Sequence, residues 1–149
     1  MPSQIIIIAA ITMNGYIARH SHEIISWSKD LPLFKKQTLG HPIIMGSNTK
    51  KTILNDLKGR EIIVFHRSDK PKEILDKING DICFVVGGGK TNAIFYQYAT
   101  HLYITPHHLI FNKGIPLFDG EINEKKFKLI NTIPYLPNEG IFQYQYKII

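Results

Sequence analysis

The residues best suited to chemistry form a glycine-rich segment, Gly87-Gly88-Gly89-Lys90-Thr91, directly after an apolar run that ends at Val86. Glycines between a strand and a helix let the backbone approach a phosphate, and the helix start supplies unpaired N–H donors. The segment is not a P-loop, because Phe84 stands where that motif needs its first glycine. Asn92 likewise replaces the third glycine of the dinucleotide motif. We therefore predict a glycine segment that binds a ligand without either motif; the alternative is a tight strand-to-helix turn.

Two further segments place polar residues directly after an apolar run. Met45-Gly46-Ser47-Asn48-Thr49 combines one glycine with hydroxyl and amide side chains at a predicted helix start, although Ser and Asn are also ordinary helix caps. His66-Arg67-Ser68 follows the run Glu61–Phe65 and carries positive charge. Two glycine-ended strands in one small α/β domain favour a single shared ligand that is rich in phosphate.

Asp30 is the carboxylate with the most suggestive neighbours. It lies in the first turn of a predicted helix, where a carboxylate is often only a residue favoured by the helix dipole. However, it shares a helix face with Phe34 and Thr38 rather than with Lys35 or Lys36. A carboxylate turned towards an apolar pocket is a candidate for binding a cationic or amidine-like ligand.

Length and charge limit the classes of protein to consider. The chain has 149 residues, the size of one domain, and 18 Lys and Arg against 12 Asp and Glu give a net charge of +6. Basic residues come singly or in pairs, and the apolar run Ile5–Ile11 is too short to span a bilayer. We expect a cytoplasmic protein with no nucleic-acid or membrane partner.

The single cysteine, Cys83, excludes an intramolecular disulfide, and its apolar surroundings favour a buried thiol. The seven histidines include His20-x-His22 and the pair His107-His108, but no cysteine or carboxylate accompanies either pair at zinc-like spacing. We expect no metal.

The predicted elements alternate between strands and helices, which indicates an α/β fold. Apolar runs without alternation are typical of parallel strands covered on both faces; they are Ile5–Ile11, Pro42–Met45, Glu61–Phe65, Ile82–Val86 and Leu102–Thr105. Alternating segments at Lys126–Thr132 and Gly140–Ile149 predict an antiparallel hairpin at one edge. The predicted helices are Lys29 to Leu39, with Ser28 as N-cap and Gly40 as stop, then Ser47 to Leu54, Pro71 to Ile78 and Lys90 to Tyr98.

The segment from Asp30 to Thr49 resembles the dihydrofolate reductase pattern Asp-(x)3-Phe-(x)3-Thr, followed by a Pro-Ile-Ile-Met-Gly-Arg-x-Thr type of sequence. Further similarities to this family are Ile8-Ala9-Ala10-Ile11, Leu57-Lys58-Gly59-Arg60, Val85 to Gly89 and Leu102-Tyr103-Ile104-Thr105. The resemblance covers most of the chain.

The resemblance implies a single domain, residues 1–149, with a central and mainly parallel sheet of eight strands, an antiparallel C-terminal edge hairpin and about four flanking helices. It also implies NADPH-dependent reduction of dihydrofolate to tetrahydrofolate by a monomer or homodimer. Asp30 would hold the amino-pyrimidine edge of the pterin and promote protonation of N5, and Thr105 would support it. Arg60 would pair with the α-carboxylate of the folate glutamate.

The remaining implied substrate-binding residues are Ile8, Ala9, Phe34, Ile53 and Leu57. The implied cofactor-binding residues are Ala10, Ile17, Gly46, Ser47, Asn48, Thr49, His66, Arg67, Ser68, Val86, Gly87, Gly88, Gly89, Lys90 and Thr91. Within this set, the two glycine segments would hold the pyrophosphate, a cis bond would join Gly87 to Gly88, and His66 and Arg67 would receive the adenosine 2′-phosphate.

Several positions depart from the family pattern. Ser47 replaces an arginine, Asn92 replaces a tyrosine near the nicotinamide, and Ile25 replaces a loop tryptophan, with Trp27 two places later. Two segments, Thr12 to Ala18 and Gly114-Ile115-Pro116-Leu117-Phe118, instead resemble the pyrimidine reductase domain of riboflavin biosynthesis, which shares the fold and NADPH. That reductase and a non-catalytic nucleotide-binding protein remain alternatives.

Overall fold

The first apolar run of the chain forms the central strand of the main sheet. In the computed structural model, which describes residues 1–52 and 57–149, this strand is β1 and is fourth of seven in the order β4-β3-β5-β1-β6-β9-β8. The strands are β1 (Gln4–Ile11), β2 (Tyr16–Ala18), β3 (Ile43–Gly46), β4 (Ile62–Phe65), β5 (Ile82–Val85), β6 (His101–Pro106), β7 (Ile115–Pro116), β8 (Phe127–Leu136) and β9 (Ile141–Ile148).

The helices are short and lie between the parallel strands. They are α1 (Leu31–Thr38), α2 (Ser47–Thr52), α3 (Pro71–Asp76) and α4 (Gly89–Phe95), and 3-10 turns follow at Tyr96–Tyr98 and Pro137–Glu139. The five strands from β4 to β6 are parallel, whereas β9 pairs antiparallel with both β6 and β8. The predicted α/β class, the parallel sheet and the C-terminal hairpin are confirmed.

The expected count of eight strands is wrong for the described residues, because the main sheet has seven strands. The strands β2 and β7 form a separate antiparallel ribbon that the sequence did not predict. They have three and two residues, which is too short for an alternating or continuous apolar pattern. These two strands form only because the fold brings the two segments together.

The helix ends also differ from the sequence prediction. The first helix begins at Leu31, so that Asp30, not Ser28, occupies the N-cap position, and Pro32 fits the first turn because its missing N–H has no partner there. Gly40 has a φ of +81° and ends the helix region as predicted. The third helix ends at Asp76 because Lys77 and Ile78 make tighter i to i−3 bonds. The predicted end at Leu54 lies outside the described residues.

Alternate residues of the central strands pack on opposite faces of the sheet. On one face Ile5, Ile7 and Ile44 belong to the same buried cluster as Leu75 of α3 and Phe95 of α4. On the other face, Ile6 and Ile8 contact a cluster that includes Phe34 of α1. The sheet is therefore covered on both sides, and α1 lies over the face on which the site is built.

No helix in the described part of the chain has the length and apolar content needed to cross a membrane.

The position of Ile44 predicts a large effect on stability. Ile44 has no exposed surface, so Ile44→Ala should lower the free energy of unfolding by about 2–5 kcal/mol through lost burial and a residual cavity. Ile130→Ala on the edge strand β8 is the control, because Ile130 is 46% exposed; it should change stability by at most about 0.5 kcal/mol. Urea unfolding of both variants measures the difference, and equal losses would contradict the assigned core.

Candidate active site

The predicted site residues meet at the carboxyl ends of the parallel strands. Ala10 of β1 pairs in register with Thr105 of β6, and Gly46 ends β3 beside Phe65 of β4. Ligands of open α/β sheets bind at this edge, where loops and helix starts leave backbone groups free. Helix α1 begins at the same edge, which brings Asp30 to the strand ends.

Asp30 is a buried carboxylate with an altered pKa. It is 7% exposed, and its side chain makes no hydrogen bond to cap α1, whereas its carbonyl accepts the N–H of Phe34 at 3.0 Å. Burial raises the pKa of Asp30, and the Thr105 hydroxyl offsets only part of this rise. Because the carboxylate of Asp30 does not cap the helix, it can accept hydrogen bonds from a ligand.

The hydroxyl of Thr105 supports a ligand at this position. Thr105 has no exposed surface, and its Oγ1 is buried without a partner at hydrogen-bond length among the described residues. Because buried polar groups in folded proteins nearly always have partners, such an atom beside Asp30 is typical of a binding site. The carboxylate and the hydroxyl together can hold a group that both donates and accepts hydrogen bonds.

Apolar side chains form the wall next to Asp30. Ile8 and Phe34 belong to one cluster with Phe84 and the partly buried Val86, and Leu57 packs with Met45 on the other side of Phe34. A flat aromatic ring would find an apolar surface here and a carboxylate at its edge. Of the other predicted substrate contacts, Ala9 lies half-buried in β1, and Ile53 falls outside the described residues.

Arg60 is fixed by three hydrogen bonds, two to α1 and one to its own loop. Its Nε donates to Thr38 Oγ1 at 3.0 Å, its Nη1 donates to the Lys58 carbonyl at 2.6 Å, and its Nη2 donates to the Lys35 carbonyl. A guanidinium has five N–H donors, so two remain. None of the described residues supplies a carboxylate partner for it, and a rigid guanidinium of this kind suits an external carboxylate.

The two glycine segments are in contact. The Gly46 N–H donates to the Gly87 carbonyl at 2.9 Å, and the bond between Gly87 and Gly88 is cis, as expected. A Cβ on Gly46 would lie 2.8 Å from Thr91 Oγ1, and a Cβ on Gly88 would lie 3.6 Å from Oγ1 of Thr49. Side chains at these positions would fill the cradle, so the glycines keep backbone and hydroxyl groups accessible to an anion such as a pyrophosphate.

The other predicted cofactor residues surround this cradle. Ser47, Asn48 and Lys90 are exposed, Val86 is half-buried, Gly89 is buried, and Ile17 lies half-buried in β2. His66, Arg67 and Ser68 are exposed after β4, and the backbone N–H of His66 donates to Asp69 Oδ2 at 2.8 Å. The carboxylate of Asp69 therefore lies close to the positive charges expected to bind a phosphate.

Sequence reasoning missed two groups beside the site. His107 is 2% exposed and contacts Trp27 edge to face, with ring centroids 5.4 Å apart. Gln37 of α1 and Gln143 of β9 exchange two amide hydrogen bonds of 2.7 and 2.9 Å. Adjacent histidines such as His107-His108 carry no sequence signal other than possible metal binding. The two glutamines are 106 residues apart, so no local pattern could have predicted their pairing.

Comparisons with known proteins agree with this geometry. Residues 4–149 match the family model described as dihydrofolate reductase. The dihydrofolate reductase of Bacillus subtilis (strain 168) is 35% identical over 117 residues, which cover 69% of this chain and 67% of the relative. The type 3 dihydrofolate reductase of Salmonella typhimurium is 30% identical over 113 residues, 66% of this chain and 68% of the relative.

A solved structure agrees in fold over nearly the whole length. The dihydrofolate reductase from Enterococcus faecalis, complexed with NADP(H) and RAB-propyl, superimposes with a TM-score of 0.77 at 20% identity and covers 99% of this chain and 98% of that chain. With a family model matched over residues 4–149 and a relative 35% identical, this chain belongs to the dihydrofolate reductase family.

Proposed function

We propose that this chain reduces 7,8-dihydrofolate to 5,6,7,8-tetrahydrofolate with NADPH. The observation that carries the proposal is the buried Asp30 carboxylate beside the buried Thr105 hydroxyl, which has no partner at hydrogen-bond length within residues 1–52 and 57–149, at the same sheet edge as the glycine cradle. NADPH would supply the hydride, while the protein supplies orientation and electrostatics. The apolar wall next to Asp30 would exclude water from the reacting ring.

Asp30 would act on the substrate through hydrogen bonds to the amino-pyrimidine edge of the pterin. A buried carboxylate accepts such bonds strongly, because few water molecules compete for it. The resulting electron shift favours protonation of N5, while hydride is delivered to the adjacent carbon. Phe34 would contact the pterin ring, and the two free N–H donors of Arg60 would bind the α-carboxylate of the folate glutamate.

The cofactor would lie along the strand ends from Ala10 to His66. The cradle of Gly46, Gly87 and Gly88 would receive the pyrophosphate, since a Cβ on Gly46 would lie 2.8 Å from Thr91 Oγ1 and Gly87 has a φ of +109° that favours glycine. Arg67 and its exposed neighbours would bind the 2′-phosphate that distinguishes NADPH from NADH.

The pyrimidine reductase of riboflavin biosynthesis is the second candidate, because Thr12 to Ala18 resembles it and so does the segment Gly114 to Phe118. The fold gives this segment a local role, since Ile115–Pro116 forms β7 and pairs with β2. A Cβ on Gly114 would lie 2.3 Å from the Ala18 carbonyl, so this pairing itself requires the glycine. The segment therefore does not favour the pyrimidine substrate over dihydrofolate.

As further parts of the proposal, the enzyme is cytoplasmic, acts as a monomer or homodimer, and has neither a nucleic-acid nor a membrane partner. The small-molecule site at the sheet edge accounts for the exposed cations near the cradle, Arg67 and Lys90.

A direct assay tests the assignment of the substrate. Purified protein should oxidise NADPH when dihydrofolate is present and should not do so with the ribosylamino-pyrimidine intermediate of riboflavin biosynthesis. The loss of NADPH absorbance measures both reactions. Turnover of the pyrimidine alone would establish the second candidate, and NADPH binding without either turnover would indicate a non-catalytic protein.

Asp30→Asn should separate activity from stability. The variant keeps the shape of the side chain but removes the charge that promotes N5 protonation, so turnover of dihydrofolate at neutral pH should fall by about 10² to 10⁴-fold. The loss should be smaller at low pH, where solvent supplies the proton. Steady-state rates across pH measure this effect, with NADPH affinity as the control that should not change.

The same variant should stabilise the protein without ligands at neutral pH. Burial raises the pKa of Asp30 in the folded state, so the folded protein binds this proton more tightly than the unfolded chain does. The ionised carboxylate therefore destabilises the fold above its folded pKa, and its protonation relieves this as pH falls. The melting temperature of Asp30→Asn should exceed that of the original protein at pH 7, and the gap should shrink in acid. A lower melting temperature at pH 7 would contradict the direction of the shift.

Arg67→Ala tests the proposed recognition of the 2′-phosphate. A guanidinium pairs with a phosphate through charge-assisted hydrogen bonds, so the variant should bind NADPH more weakly and NADH almost unchanged. Equilibrium titration of both nucleotides measures the two dissociation constants. Lys72→Ala is a matched control, because Lys72 is an exposed cation of α3 paired with Asp76. Equal weakening of NADPH and NADH by Arg67→Ala would exclude this role.

A further inference from the structure

His107 is a buried histidine for which the proposed reaction has no use. It follows β6 directly and is 2% exposed, and its backbone N–H donates to the Ile11 carbonyl at 2.7 Å. Its ring lies between the end of the sheet and the segment that precedes α1. Both ring nitrogens have a partner within hydrogen-bond distance, which assigns the protonation state of the ring.

The two partners allow only one tautomer. Nδ1 lies 2.9 Å from the Thr105 carbonyl, which can only accept, so Nδ1 carries the proton. Nε2 lies 2.9 Å from the backbone N–H of Lys29, which can only donate, so Nε2 is unprotonated. His107 is therefore neutral in this structure, donating at one nitrogen and accepting at the other.

The hydrogen bond from the Lys29 N–H to His107 Nε2 lies one residue before Asp30, the proposed catalytic carboxylate. Residues 22–30 form neither helix nor strand, and the bond from Lys29 joins this stretch to a residue 78 positions away. The ion pair between Lys29 Nζ and Glu139 is half-exposed at both ends, and exposed pairs of this kind contribute little. The part-buried backbone bond to His107, together with the packing of Trp27 against His107 and Phe111, therefore links the end of the sheet to the entry to α1.

We propose that His107 is a positioning residue, whose unprotonated Nε2 holds the Lys29 backbone and thereby places Asp30 against the pterin; this rests on the proposed function. Asp30 makes no capping hydrogen bond of its own, so its orientation depends on the Thr105 hydroxyl beside it and on the backbone on either side. Helix α1 fixes the C-terminal side through the bond from Phe34 to the Asp30 carbonyl. His107 fixes the N-terminal side.

Two matched variants separate this role from simple packing. The carboxamide oxygen of glutamine reaches the position of Nε2, so His107→Gln retains an acceptor for the Lys29 N–H. The amide of asparagine ends at the position of Nδ1, so His107→Asn retains a donor to the Thr105 carbonyl but leaves Lys29 unpaired. Both variants remove the imidazole and its edge contact with Trp27, so they differ chiefly in which hydrogen bond survives.

The expected result is rescue by glutamine alone. For His107→Asn, kcat/KM for dihydrofolate should fall by about 10- to 100-fold, because small displacements of a catalytic group have large effects on rate. His107→Gln should stay close to the original protein, and the Kd of NADPH should be the same in all three proteins. Equal activity of the two variants, whether both high or both low, would overturn the proposal.

A measurement on the unaltered protein keeps the inference testable if a variant does not fold. Nitrogen-15 NMR of the histidine rings should show His107 protonated at Nδ1 and unprotonated at Nε2. A proton on Nε2 at neutral pH would overturn the proposal, because that nitrogen could not then accept from Lys29. If the unaltered protein shows the expected tautomer but does not reduce dihydrofolate, the proposed function fails, not the hydrogen-bond assignment.

Trp27 provides a spectroscopic control for the same experiment. It is the only tryptophan of the chain, and it packs edge to face against both His107 and Phe111 at centroid distances of 5.4 Å. Its emission therefore reports on the packing of this cluster. Both variants should change the emission similarly, since both remove the imidazole, whereas only His107→Asn should lose activity; an emission change that parallels the activity loss would support a packing role instead.

Discussion

Burial of the Asp30 carboxylate is the constraint on which this end of the molecule depends. An ionised group removed from water is destabilising unless it is hydrogen-bonded, and Asp30 is 7% exposed with no capping bond. Thr105 lies beside it, and its hydroxyl, which lowers the pKa of Asp30, has no partner at hydrogen-bond length among the described residues. The folded protein therefore holds two polar groups whose hydrogen bonds a ligand can complete. This is typical of a site in which local stability is sacrificed for binding.

The surrounding elements keep that carboxylate in place. Helix α1 is held to the sheet by Phe34 in the apolar cluster, by the amide pair of Gln37 and Gln143, and by Arg60, which bonds to its carbonyl and hydroxyl groups. The entry to the helix is held by His107. These contacts come from β6, β9 and the segment after α2, so the position of one side chain depends on elements from most of the chain.

The cradle on the cofactor side depends on a different physical property, the absence of side chains. A Cβ on Gly46 would collide with Thr91, and the cis bond joins Gly87 to Gly88 where two strand ends meet. Asn92, which stands where the family pattern has a tyrosine, makes a contact of its own. Its Nδ2 donates to the Leu117 carbonyl at 3.1 Å and so joins α4 to the segment after β7.

The sequence by itself determined the features that are encoded locally. Unbroken apolar runs predicted the five parallel strands, alternation predicted the hairpin, and glycines at strand ends predicted the cradle, because each pattern lies within about ten neighbouring residues. The motif around Asp30 and Phe34 also identified the family that the comparisons later established. Only the tertiary structure decided that Asp30 occupies the N-cap position of α1 without a capping hydrogen bond, that β2 pairs with β7, that Gln37 meets Gln143 and that His107 accepts from Lys29. These features join residues far apart in the chain, and hydrogen bonds of that kind are set by the packing of whole elements rather than by the spacing of residues along the sequence.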